Sequence, residues 1–265
     1  MHADDTVIYF SDNSIESIQN NLQKDFDSLS RYFYSNELIM NLKKGKTELM
    51  LFGTDQRIRR LDNSKITIQH DYHTINMTKS YKYLGISLTS SLNMTDHLNA
   101  TIKKASSRIH LLRRMRNHMD SKTAKLIYQT MIAPILTYCP LAIYGSIPSY
   151  LKTRINSLEN RVQFIIGNEM ITCSETISKK RFCVFVHKCL HTKEFEDYFG
   201  DYFKCKKTKV NTRDNGTKVV MPRIKLETAR KSAFYQGAKI FNLLPIEYRS
   251  MKDLDSFKKL LDDFF

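Results

Sequence analysis

Apolar residues at Ile15, Ile18, Leu22, Phe26, Leu29 and Phe33 recur at intervals of three and four, which predicts one helix over residues 14–34 with a single buried face. Asn13 followed by Glu16 gives a capping-box pattern at its start. On both sides the pattern shifts to short β-rich runs. Thr6, Val7, Ile8, Tyr9 and Phe10 follow two acidic residues, as expected of a tight turn feeding a buried strand. Residues 42–47 form a polar turn, and Leu49, Met50, Leu51 and Phe52 then make an apolar run suited to a strand covered on both faces. Residues 65–69 and 74–78 alternate with period two about a turn near Asp71, and residues 81–88 supply a further strand. Residues 1–90 therefore read as an α/β half-domain.

Beyond Leu92 the periodicity is helical. Leu98, Ile102, Ala105, Ile109, Leu112 and Met115 mark one face of a helix, and Lys103, Lys104, Arg108, Arg113, Arg114 and Arg116 are assigned to its other side. Two further apolar faces follow, Ile127, Met131 and Ile135, then Leu151, Ile155, Leu158, Val162 and Ile165, so residues 91–168 predict a small helical bundle. In residues 169–265 a helix is expected over 178–192, a polar, mobile segment over 204–223, and a helix over 228–243 stopped by Leu244 and Pro245. Leu254, Phe257, Leu260 and Leu261 form a last helical stripe.

Residues 126–149 contain no charged side chain and are long enough to cross a bilayer. Pro134, Pro140, Gly145 and Pro148 interrupt them, which favours a buried helix running into a turn, and no membrane association is expected.

Charge divides the chain. Residues 1–90 hold 11 basic and 11 acidic side chains, whereas 91–265 hold 31 and 16, so the whole formal excess of +15 lies beyond residue 90. A neutral first third joined to a basic remainder suits a scaffold or catalytic piece followed by a piece that grips a polyanion, with nucleic acid favoured over a lipid surface. The five cysteines lack regular spacing, and no signal peptide precedes them, which points to a reducing intracellular compartment, cytoplasm or nucleus. Cys183, His187, Cys189 and His191 are close in sequence, but structural zinc sites use a Cys arm and a separate second pair, so no zinc is expected and helix packing is the favoured reading.

Adjacent aspartates at a strand turn, Asp4 and Asp5, can present hard oxygen ligands to Mg²⁺, although most such pairs are solvated turns. Here the surrounding order of motifs matters. Ala3, Asp4, Asp5 and Thr6 before an apolar run resemble the catalytic turn of reverse transcriptases. Lys46 and Thr47 before the second run resemble the family's Lys-Thr turn, and Tyr83, Leu84 and Gly85 resemble its primer-grip hairpin. Tyr128, Ile132, Pro134, Leu136 and Tyr138 match a helical pattern of the non-LTR retrotransposon enzymes, and Asn242, Leu244 and Pro245 resemble their terminal segment. His2, Tyr144 and Phe241 stand where that family usually has aromatic or Trp residues.

The resemblance implies an α+β fold, with a partial polymerase palm over residues 1–90, a helical thumb over 91–168 and a mainly helical terminal region over 169–265. It implies an RNA template and a DNA primer as partners, Mg²⁺ in the intact enzyme at Asp4 and Asp5, Lys46 near the nucleotide phosphates, and the basic helix from Lys103 to Arg116 against the duplex backbone. The family's fingers and its other metal-binding aspartate precede the acidic turn by about 100 residues. The 265 residues are therefore expected not to polymerise by themselves, and the rival reading is a non-catalytic basic nucleic-acid-binding module.

Overall fold

The computed structural model describes residues 5–60, 66–167, 169–205 and 216–265. The chain forms two compact units, Met1–His97 and Leu98–Phe265.

In the first unit, α1 spans Ile15–Ser35. Its cap is Ser14 rather than the expected Asn13 and Glu16 pair: the Ser14 hydroxyl accepts the Ser17 N–H, and the Asp12 carboxylate takes the N–H groups of Asn13 and Ser14. Of the apolar stripe only Leu22 and Phe26 are buried, packed on Ile68 and Ile75. Those two come from the hairpin of β1 (Thr67–His70) and β2 (His73–Asn76), where they face each other across an antiparallel register. The chain turns at Asp71, whose φ is +50°. Gln23 fastens α1 to this hairpin in both directions, donating to the Gln69 carbonyl (2.8 Å) and accepting the Gln69 N–H (2.9 Å).

A second hairpin pairs β3 (Ser80–Tyr83) with β4 (Ile86–Thr89). The single strand expected over 81–88 is thus folded in two, because Leu84 (φ +45°) and Gly85 (φ +81°) both take the left-handed conformation that a type I′ turn requires. The runs expected as strands at 6–10 and 48–52 form no ladder. Leu49 makes one parallel bridge to Met77, and Val7 and Tyr9 are 55% and 88% exposed. Alternation selects faces, but a strand exists only where a neighbour completes its hydrogen bonds. A short helix that the pattern did not indicate, α2 (Asp55–Arg60), follows.

Helix α3 (Thr95–Met115) buries Leu98, Ile102, Ala105, Ile109 and Leu112 as expected. α4 (Ser121–Ile127) is capped by the Asp120 carboxylate on the Thr123 N–H. It continues through a π turn, Tyr128–Ile132, into α5 (Ala133–Leu136). Pro134 has no N–H to give the preceding turn, and Ala133 bonds instead to the Tyr128 carbonyl five residues back. The buried face is consequently Ala124, Tyr128, Ile132 and Ala133 rather than Ile127, Met131 and Ile135, and Met131 is half exposed. α6 (Pro140–Ile143) leads to α7 (Ser149–Ile165), which buries Leu151, Ile155, Leu158 and Val162, with Ile166 rather than Ile165 completing the face.

Three arginines order these helices. Arg108 donates to the Met131 carbonyl, Arg116 to the Ile165 carbonyl, and Arg154 to the Asn99 side chain. The α4–α5 arm therefore runs back along α3, and α7 runs alongside α3 in the same direction.

The remainder packs around α8 (Ser174–His191), which begins a turn earlier than expected because the buried Glu159 carboxylate accepts the Ser174 N–H at 2.6 Å. α9 (Lys193–Phe199) follows. The helix expected over 228–243 is split into α10 (Glu227–Arg230) and α11 (Ala233–Phe241): Ser232 caps α11, and the Lys231 backbone lies where a Cβ on Gly145 would stand. α12 (Ile246–Arg249) and α13 (Leu254–Phe264) close the chain, with Phe182, Val186, Phe241, Phe257 and Leu261 in the core.

Of the segment expected to be mobile, 206–215 lie outside the described residues. On its two sides Cys205 bridges Val219, whose N–H and carbonyl are both held by the Asn242 side chain. Residues 98–168 and 169–265 belong to one unit, joined by Glu159 with Ser174 and by Tyr144 with Glu175.

Candidate functional site

Asp4 lies outside the described residues. Asp5 is exposed, and three residues on Ile8 packs against the small core of Leu22, Phe26, Ile68 and Ile75. Leu42 and Leu49 pack on that same core, one on each side of the 43–47 turn. Elementary packing thus anchors the segment carrying Asp5 and the turn carrying Lys46 to one cluster.

The turn is internally fixed: Gly45 (φ +85°) gives its N–H to Glu48, Lys46 gives its N–H to the Lys43 carbonyl, and the Thr47 hydroxyl bonds back to the Asn41 carbonyl. Lys46 is exposed, and its carbonyl accepts the Tyr81 hydroxyl at 3.4 Å. The second hairpin is held to the same strip of chain by Thr78 N–H on the Leu49 carbonyl and Gly53 N–H on the Ser90 carbonyl. The structure therefore brings together Lys46 and the hairpin of Tyr83, Leu84 and Gly85, which sequence reading assigned separately. Leu84 and Gly85 form the exposed tip.

His97, in the first turn of α3, accepts the Ser87 N–H at its Nδ1, so the ring proton resides on Nε2. Burial, with Lys82 adding to it, holds its pKa below the usual histidine value. A neutral His97 fits that acceptor role.

One exposed carboxylate, Asp5, does not make a metal site. Among the described residues no group of three or more His, Cys, Asp or Glu side chains is arranged to hold an ion. Cys183, His187 and Cys189 are core side chains. Burial pushes the thiols up to about 12 and about 11, and His187 stacks on Phe257 with its Nε2 on the Met251 carbonyl at 2.9 Å.

On α3 the six predicted basic residues divide. Lys103, Lys104, Arg113 and Arg114 are exposed. Arg108 is partly covered by its bond to Met131, and Arg116 is withdrawn from the surface by three bonds, to the carbonyls of Ile165 (2.7 Å) and Met119 (2.6 Å) and the Ser121 hydroxyl (2.8 Å). Helical spacing already contained this signal. Arg116 stands four residues after Leu112 and seven after Ile109, on the apolar face, so its assignment to the exposed side is corrected. The outward stripe is Lys103, Ser107, His110 and Arg114, flanked by Lys104 and Arg113.

The Tyr128 to Tyr138 pattern has a structural role. Tyr128 and Ile132 are fully buried, Pro134 produces the π turn, and the Tyr128 hydroxyl meets the buried Glu159 at 3.4 Å.

Over 163 residues, 60% of its length, the chain is 26% identical to the probable RNA-directed DNA polymerase from transposon BS of Drosophila melanogaster. The similarity supports kinship with transposon reverse transcriptases. The matched stretch amounts to 17% of that relative's length. No family model matches the chain. No solved structure matches it.

Proposed function

We propose that these residues are the carboxy-terminal part of a non-LTR retrotransposon reverse transcriptase, with a partial palm in the first unit and a thumb in the α3–α7 bundle. The observation that carries this reading is the Lys46 turn bonded to the Tyr81 hairpin in a chain similar to a transposon polymerase. In this reading Asp4 and Asp5 are metal-binding carboxylates, Lys46 stabilises charge developing on the nucleotide phosphates, and Tyr83, Leu84 and Gly85 support the primer end. Gly85 leaves the backbone open to close approach. The partners are an RNA template and its DNA primer, gripped by Lys103, Lys104, Arg113 and Arg114 through phosphate contacts. Five free cysteines suit work inside the cell, in cytoplasm or nucleus.

Two-metal phosphoryl transfer requires carboxylates that bridge two ions in a water-excluding cavity, which an adjacent Asp pair does not supply. The 265-residue chain alone is expected to give no template-directed incorporation in a primer-extension assay. Joined to an amino-terminal polymerase half, it is expected to extend a primer, and replacing Asp4 and Asp5 by Asn is expected to abolish extension while hybrid binding stays within about twofold. Extension that survives the double replacement would overturn the assignment. The second reading, a basic nucleic-acid-binding module, draws on the one-sided charge of the bundle; it is favoured if the joined protein binds hybrid but never extends.

A further inference from the structure

The outward face of α7 interleaves aromatic rings with arginines. Tyr150, Arg154, Ser157, Arg161 and Phe164 follow at intervals of four, three, four and three, which sets all five on one stripe, while Leu151, Ile155, Leu158, Glu159 and Val162 point inward. Tyr150 is 53% and Phe164 79% exposed. Fourteen residues of helix separate them, roughly 21 Å.

The charge around this stripe is mainly positive, and Glu169, just beyond the end of α7, is paired with Lys125. Between Leu98 and Leu158 ten Lys or Arg residues face one acid, Asp120, which is occupied in capping α4. The nearest acid on α7, Glu159, is 4% exposed and engaged by Ser174 and Tyr128. Arg154 reaches the Asn99 side chain of α3, so the α7 stripe lies beside the Lys103 to Arg114 stripe and runs parallel to it.

We propose that α7 is a single-stranded nucleic-acid platform, on which unpaired bases stack against Tyr150 and Phe164 while Arg154 and Arg161 take the phosphates. Exposed rings interleaved with cations, and no acid between them, suit a strand whose base faces are open; a closed duplex offers rings nothing to stack on except its ends. The occupant is a single strand. This rests on the reading that the bundle grips nucleic acid, and it adds a second surface to the one on α3, suited to strand not yet paired.

The protein has no tryptophan, so Phe164→Trp and Tyr150→Trp each install one reporter at the stripe. Titration with an unstructured 20-nucleotide RNA is expected to quench either reporter, and a blunt RNA–DNA duplex of equal length is expected to leave both nearly unchanged. By anisotropy, the double variant Tyr150→Leu and Phe164→Leu is expected to bind the single strand about tenfold or more weakly, with duplex affinity within twofold and an unchanged melting temperature. Arg161→Gln should lower the salt dependence of single-strand binding by about one ion.

Three outcomes overturn the proposal: no quenching at saturating RNA, equal losses for strand and duplex, or a leucine variant that loses only self-association. If Lys103→Ala with Lys104→Ala weakens binding while every α7 variant is silent, the broader nucleic-acid reading stands and this one falls. If the wild-type chain binds neither probe, both fall together.

Discussion

Arg116 stands at the end of the apolar face of α3 and Glu159 is buried, and both act as structural clamps. Arg116 satisfies two carbonyls and a hydroxyl where α3, α4 and α7 converge. Arg116→Ala is expected to cost about 2–4 kcal/mol in urea unfolding, since charged hydrogen bonds are lost and carbonyls are left unpaired, whereas Lys103→Ala should change stability by no more than about 0.5 kcal/mol.

Burial raises the Glu159 pKa above the usual carboxylate value, partly offset by the Ser174 and Tyr128 bonds. The folded state therefore holds the proton more tightly than the unfolded chain, and ionisation above the unfolded value near 4.5 works against folding. Glu159→Gln keeps an oxygen for Ser174 and Tyr128 and is expected to change stability at pH 7 by less than about 1 kcal/mol; Glu159→Leu strands both donors and should cost about 1–3 kcal/mol. Equal losses for the two variants would show that the charge itself is needed. Neither clamp was legible from residue type alone, because a sequence pattern sorts charges to the outside by default. Helical spacing placed Arg116 inside, and the structure explains why it is tolerated there.

Among the elements, the most regular stripes were readable: α1, α3 and α7 lie where periodicity put them, because an unbroken 3.6-residue repeat has one way to bury its face. Breaks were not. The α10–α11 interruption depends on Gly145, remote in sequence, against which the Lys231 backbone packs. Gly145→Ala is expected to lower the melting temperature by several degrees, as a Cβ there meets backbone and cannot be accommodated by side-chain rotation.

The junction of α8 with α13 adds a pH response. Burial holds the pKa of His187 below 6.5, as it does that of His191, despite the Met251 carbonyl acting in the opposite sense on His187. The unfolded chain binds more protons between the lowered values and 6.5, so stability is complete above about pH 6.5 and is lost as pH falls through that window. Melting followed from pH 7.5 to 5.5 should show the decline, and His187→Gln should flatten it. The capping carboxylates Asp12, Asp120 and Asp253 have lowered values, so their contribution is lost only below 3.8 and belongs to a separate, more acidic transition.

At the scale of the whole molecule the two units differ in their means of stability. Among the described residues, 7 buried apolar side chains belong to residues 1–97 and 28 to residues 98–265. Two-stranded hairpins are marginal without a substantial core. Residues 98–265 expressed alone are therefore expected to melt cooperatively, and residues 1–97 alone are not; calorimetry on both fragments decides it, and a sharp transition in the shorter one would refute this account.

The sequence by itself determined the long amphipathic helices, the first hairpin, the basic bias beyond residue 90 and the order of motifs that resembles a reverse transcriptase, because each of these is written in local period or composition. Tertiary structure alone decided what holds Arg108 and Arg116 down, that Lys46 meets the Tyr81 hairpin, that the helix expected over 228–243 breaks at Lys231, and that residues 98–265 form one unit. Those outcomes depend on contacts between residues dozens of positions apart, such as Arg116 with Ile165 and Gly145 with Lys231, and no local pattern encodes such a pairing.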